Sequence, residues 1–182
     1  ELIFGSDINN FRNSVTELEI VDGSEKIVDS FFMGFSKLET VTFPDTIKTL
    51  GASAFKNCTS LNNVNIPRVS TISASAFENC SSFTSITLPS SVTAISKNAF
   101  SGCVNVESIY IPSSVRTIEN NPFVGLEKLN ELSVPGTIKP NSLFGPSEIV
   151  VKYTLKTLNV LSSTEIVDNA YYGYEAFPDV SY

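Results

Sequence analysis

Proline returns every 22 or 23 residues along most of this chain, and that regularity limits what it can fold into. Pro44, Pro67, Pro89, Pro112 and Pro135 are 23, 22, 23 and 23 positions apart. Phe32, Phe55, Phe77, Phe100 and Phe123 keep the same spacings, and so does the series Phe35, Cys58, Cys80, Cys103 and Leu126. Three markers in one phase define a repeat. A unit of this length is too small to bury its own apolar face, so a core arises only when units stack into an array. The expectation is a single domain over residues 1–182 that winds as a solenoid.

Coils start at Val15, Leu38, Leu61, Phe83, Val106, Leu129 and Leu155. Residues 1–14 read as a partial coil with Ile3, Phe4, Ile8 and Phe11. Residues 15–135 are regular, and 136–182 hold an irregular sixth coil and a terminal one. Within coil four, Ile86-Thr87-Leu88 has the period of a half-buried strand, and Pro89 ends it because proline cannot donate to a ladder. Val92-Thr93-Ala94-Ile95 is a second brief strand or an extended turn. The Ala99-Phe100-x-x-Cys103 spacing is compatible with one helical or 3₁₀ turn.

The coil pattern Leu-x-x-Ile-x-Ile-Pro-x-x-Val-x-x-Ile-x-x-x-Ala-Phe-x-x-Cys resembles the BspA-like, or Treponema pallidum type, leucine-rich repeat. Leu61 to Cys80 and Phe83 to Cys103 match it best, and the match is loose beyond residue 135. The resemblance implies a right-handed, curved leucine-rich-repeat solenoid of 22–23-residue repeats. Its parallel sheet lines the concave side, with short convex strands or turns and little helix. The resemblance also implies a surface-exposed or secreted protein of a host-associated microbe. Several members are adhesins, and the family supplies no catalytic residues.

Side chains alternate faces along a strand. With Ile86 and Leu88 directed to the core, one outward row is Glu19, Thr42, Asn65, Thr87, Tyr110, Ser133 and Asn159. Its neighbour is Glu17, Thr40, Asn63, Ser85, Ser108, Glu131 and Thr157. Seven parallel strands about 4.8 Å apart give a polar ribbon roughly 30 Å long. The candidate binding face is Thr42, Asn63, Asn65, Ser85, Thr87, Ser108, Tyr110, Glu131 and Ser133. Tyr110 is the one aromatic in these rows, a residue type favoured as an interface anchor.

Catalytic chemistry finds no support. The chain has no His, the usual base beside a nucleophilic Ser or Cys. Cys58, Cys80 and Cys103 recur in a slot that Phe35, Leu126 and Tyr174 fill elsewhere, so the slot is apolar and its thiols act as small hydrophobes. Their spacings of 22 and 23 are far from those of a thiolate zinc site. Glu17 with Glu19, and Glu165 with Asp168, read as a solvated acidic surface, and no acidic calcium loop or glycine-rich phosphate loop occurs. No enzyme activity, cofactor or metal is expected. The sequons Asn57-Cys58-Thr59 and Asn79-Cys80-Ser81 share one repeat position, and are glycan acceptors only in a eukaryotic secreted protein. Tyr171, Tyr172, Tyr174 and Phe177 are expected to cover the final coil.

A net charge of −7, without any run of Lys or Arg, argues against nucleic acid and anionic membrane surfaces. No apolar run reaches the 18 or so residues of a membrane helix. The chain opens at Glu1 without Met, which reads as a mature or excised form. The functional expectation is an extracellular or cell-surface module that binds a host matrix or cell-surface protein. Its rivals are a structural spacer without a ligand and, more remotely, a β-helical enzyme.

Overall fold

The triplets ahead of each proline form short strands that stack in parallel from coil to coil. The computed structural model describes residues 8–62, 64–138, 140–144 and 154–161. The first set of strands is β1 (Glu17–Glu19), β3 (Thr40–Thr42), β6 (Ser85–Thr87), β8 (Ser108–Tyr110), β10 (Glu131–Pro135) and β11 (Thr157–Leu161). The second set is β2 (Lys26–Ile27), β4 (Thr49–Leu50), β5 (Thr71–Ile72), β7 (Ala94–Ile95) and β9 (Thr117–Ile118). These resolve the second extended stretch of coils one to five as a two-residue strand. Every pairing is parallel and joins one coil to the next. Helix is short: α1 (Ile8–Arg12) and α2 (Pro140–Phe144) have five residues each.

The alternation expected of the first strands holds. Val41, Ile86, Ile109 and Leu132 enter the core, while Thr40, Thr42, Ser85 and Thr87 are exposed. The phenylalanine marker forms the spine of that core. Ring centroids run Phe32–Phe55 5.3 Å, Phe55–Phe77 5.7 Å, Phe77–Phe100 5.3 Å and Phe100–Phe123 5.4 Å, with planes within 16° of parallel. From Phe55 to Phe123 these rings are fully buried.

The Ala-Phe-x-x-Cys stretch is a chain of turns, where its spacing had allowed a helical turn. Two left-handed residues per coil break any helix. One column is Ser30, Ser53, Ser75, Asn98 and Asn121; the other is Gly34, Asn57, Asn79, Gly102 and Gly125. The backbone then alternates its donors. Ser53, Phe55 and Asn57 N–H groups donate to Ala74, Ala76 and Glu78 carbonyls of the next coil at 2.8–2.9 Å. Ala54, Lys56 and Cys58 N–H groups donate three residues back within their own coil. This is a third lateral ladder, built without strands, and it satisfies backbone groups that burial would otherwise leave costly.

The ribbon is not continuous, contrary to the sequence expectation. The first strands form one sheet in the order β1-β3 and another in the order β11-β10-β8-β6. Coil three forms no strand at Val64 and Asn65, although Ile66 still reaches the core. Coil three is the 22-residue repeat, and its missing residue shortens the turn after Pro67. The second set also divides, into β2-β4 and β5-β7-β9. At that seam the Ser73 hydroxyl donates to the Leu50 carbonyl, where Gly51, Ser96 and Glu119 use backbone N–H.

Both ends depart from the repeat. In the sixth coil α2 replaces the second strand and brings Leu143 and Phe144 into the Ala-Phe slot. Phe123 N–H donates to Leu143 O, and the Phe144 ring tilts over Phe123 at 6.3 Å. At the other end Ile8 to Arg12 form a helix and no strand; Phe11 meets Phe35 edge-on at 5.9 Å. The residues assigned to the terminal cover, Tyr171, Tyr172, Tyr174 and Phe177, lie outside the described residues, as do Glu165 and Asp168.

Phe77 is packed on both faces within the column, so Phe77→Ala is expected to lower the unfolding free energy by about 3–5 kcal/mol. Phe31→Ala removes a ring that is 59 % exposed, and is expected to change it by no more than about 0.5 kcal/mol. Urea denaturation followed by circular dichroism reads both.

Candidate interaction surface

The strand register brings the outward rows together side by side. Thr87, Tyr110, Ser133 and Asn159 are successive partners, and so are Ser85, Ser108, Glu131 and Thr157. Tyr110 projects from the middle of this four-stranded sheet with 41 % of its surface exposed. Ser85, Thr87 and Glu131 are exposed beside it, and Ser108 is half-buried.

Two expected members, Thr42 and Asn65, do not join that strip. Thr42 is exposed but belongs to the separate β1–β3 pair. Asn65 is exposed in coil three, where it and Val64 form no strand, and Asn63 lies outside the described residues. Ser133 needs correction as an open contact: it lies in the expected row but is only 9 % exposed. Asn159, from the last strand, donates its Nδ2 to Ser133 Oγ and to Glu131 Oε1, both at 3.1 Å. That amide lies across both rows and closes the C-terminal end of the strip. The sequence places Asn159 in the row but gives no signal for these bonds.

The cysteines have a structural reason beyond size. Cys58, Cys80 and Cys103 thiols donate to the carbonyls of Phe32, Phe55 and Phe77 in the preceding coils, at 3.1, 3.3 and 3.3 Å. All three are free and fully buried. Burial pushes the Cys58 and Cys103 thiols up to about 12 from 9.0. Cys80 is raised by burial first, then by the neighbouring Cys103 and Cys58. A nucleophilic cysteine needs the opposite shift. Among the described residues no cluster of three or more His, Cys, Asp or Glu is placed to hold a metal ion. Among them too, no helix is long and apolar enough to cross a membrane.

The two sequons also follow from the backbone. Asn57 and Asn79 have φ of 63° and 61°, in the column where other coils carry glycine. Asparagine tolerates this left-handed region better than most side chains. Asn79 Nδ2 then donates to Asn57 Oδ1 at 2.9 Å.

A family model for the BspA type leucine rich repeat region matches the chain in six copies, over residues 9–130 and 61–177. Among solved structures, the chain is similar to a leucine rich cell surface protein from Faecalibacterium prausnitzii A2-165. The two are 29 % identical with a TM-score of 0.64, covering 73 % of this chain and 36 % of that one. A leucine-rich repeat protein from Bacteroides ovatus ATCC 8483 is 28 % identical with a TM-score of 0.66, over 78 % and 39 % of the respective chains. The Treponema pallidum leucine rich repeat protein is 25 % identical with a TM-score of 0.69, over 80 % and 70 %. The chain thus spans 36–39 % of the length of the first two. No curated protein matches the sequence.

The buried thiols lead to an alkaline dependence of stability. Between 9.0, the ordinary thiol value, and about 12, the unfolded chain holds fewer protons than the folded one, so stability falls as pH rises. Each raised thiol contributes up to about 1.4 kcal/mol per pH unit in that window. Wild type is expected to lose stability faster above pH 9 than a variant with all three cysteines replaced by alanine. Ellman's reagent at pH 8 is expected to label the cysteines only after unfolding.

Proposed function

The chain belongs to the BspA type leucine-rich repeat family, and on that premise we propose that it is an adhesin-like protein-binding module, secreted or displayed at a cell surface. Its partner is a host matrix or cell-surface protein, and it carries out no reaction. Extended parallel-strand faces are the surfaces that solenoids use for recognition. One observation carries the choice of face: Tyr110 stands exposed at the centre of the four-stranded sheet, with Ser85, Thr87 and Glu131 exposed around it. An aromatic ring with two rotatable torsions loses little entropy on docking, and Tyr is enriched at interface centres. The cell-surface description of the Faecalibacterium relative supports the location.

A biosensor panel of host matrix proteins and microbial surface proteins tests this reading. Tyr110→Ala is expected to weaken the bound partner at least tenfold, about 1.4 kcal/mol, with an unchanged melting temperature. Thr87→Lys is expected to do the same. A partner whose affinity survives both substitutions does not use this face, and a chain that retains none of the panel fits the spacer reading.

A further inference from the structure

Coil three lacks one residue, and the loss falls in the turn after its proline. Pro44-Asp45-Thr46-Ile47, Pro89-Ser90-Ser91-Val92 and Pro112-Ser113-Ser114-Val115 place an apolar residue three positions after proline, whereas Pro67-Arg68-Val69 places it two after. The longer turns close with Ile47, Val92 and Val115 N–H donating to Pro44, Pro89 and Pro112 O at 3.0–3.3 Å. In coil three Val69 N–H donates to Pro67 O at 2.7 Å, closing a turn one residue tighter.

The tighter turn unsettles its neighbour. Thr46 Oγ1 donates to Ser24 O and Ser114 Oγ to Val92 O, each across one coil at 2.7 Å. The same bond from Ser91 would end on Val69 O, in the turn that has shrunk. Ser91 Oγ is instead shielded from solvent with no hydrogen-bond partner, a state that costs free energy unless a ligand relieves it. Ser91 lines a surface cavity of about 520 Å³ with Arg68, Pro89 and Ser90. A second cavity of about 260 Å³ shares Arg68 and Pro89 and extends to Pro44, Asp45 and Asn65, so that Asp45 is the one carboxylate in the lining of either cavity.

Arg68 is the cation at this notch. The residues at its repeat position in neighbouring coils are Asp45, Ser90, Ser113 and Gly136. Arg68 takes part in neither the Lys48–Glu25 nor the Lys56–Glu78 ion pair. Arg68 is exposed, in a chain whose net charge is −7.

We infer that the coil-three notch binds a carboxylate carried by an acidic segment of a protein partner. The planar guanidinium of Arg68 takes the carboxylate oxygens through two parallel N–H bonds, the arrangement that arginine suits best. Ser91, turned about χ1 into the cavity, donates the hydrogen bond that coil three no longer accepts. The inference rests on the protein-binding reading only for the source of the carboxylate; the notch lies at the seam where the sheet divides, and Tyr110 lines neither cavity.

Nuclear magnetic resonance of the whole chain, titrated with hexaglutamate in low salt, tests it. Shift changes are expected at the Arg68 side-chain Nε and at the Ser90 and Ser91 amides. Hexaglutamine is expected to produce none. Inorganic phosphate reports whether a free anion suffices, and is expected to bind at least tenfold more weakly. Arg68→Gln, an exposed change that leaves the core untouched, is expected to weaken hexaglutamate at least tenfold, and Ser91→Ala severalfold. Inserting Ser between Arg68 and Val69 restores the 23-residue spacing; it is expected to raise the melting temperature and abolish the shifts. Absent or scattered shifts, or binding that survives Arg68→Gln, would overturn the inference. So would phosphate binding as tight as that of the peptide. Any of these results with Tyr110-dependent binding intact would reject the notch alone.

Discussion

A coil of 22 or 23 residues has no interior of its own, so each ring of the phenylalanine column is buried by the coils above and below it. Phe77 is covered because Phe55 and Phe100 lie 5.7 and 5.3 Å away, nearly parallel to it. The three lateral ladders depend on that contact, since hydrogen bonds between coils form only when the coils are held at a fixed separation. The thiols follow it as well: each reaches a phenylalanine carbonyl of the coil before. Stability in such an array is a sum of coil and nearest-neighbour terms. That is why the ends need substitutes for a missing neighbour: Phe144 tilts over Phe123 at one end, and Phe11 meets Phe35 at the other.

What repeats was legible in the sequence, because a residue that must meet its own copy in the next coil recurs in phase. The stacking of Phe55, Phe77 and Phe100, the inward isoleucines and the outward polar rows all follow from period and alternation alone. What occurs once was not legible. Asn159 looks like any other polar strand residue, yet its amide spans Glu131 and Ser133 and removes Ser133 from the open face. The interval of 22 between Pro67 and Pro89 is visible in the sequence. Its consequence, a lost strand pairing at Val64 and Asn65, depends on which side of the coil absorbs the deletion. The left-handed columns were hidden for another reason. Ser, Asn and Gly all accept that backbone, so no single letter marks it.

The same distinction separates structure from recognition. Inward positions are bound by their neighbours: a change at Phe100 disturbs Phe77 and Phe123 together. Outward positions meet solvent and vary from coil to coil, as Glu19, Thr42, Thr87 and Tyr110 do along one row. A partner that reads this solenoid therefore reads its departures from the repeat. Tyr110 is such a departure in side-chain type, and coil three is one in backbone length.

Coil three also shows where a repeat of this kind tolerates change. Its deletion leaves the Phe55–Phe77 stack at 5.7 Å, against 5.3–5.4 Å for the other pairs of the column. The turn ladder also passes through it, with Phe55 N–H on Ala76 O and Phe77 N–H on Ala99 O. The disturbance stays in the segments that flank Pro67, where it divides both sets of strands and orphans one hydroxyl. A deletion on the phenylalanine side would have shifted Phe77 or Cys80 out of its column and left a cavity in the core. The proline corner is thus the place where the fold can lose a residue and still stack, and a surface notch is the physical form that loss takes.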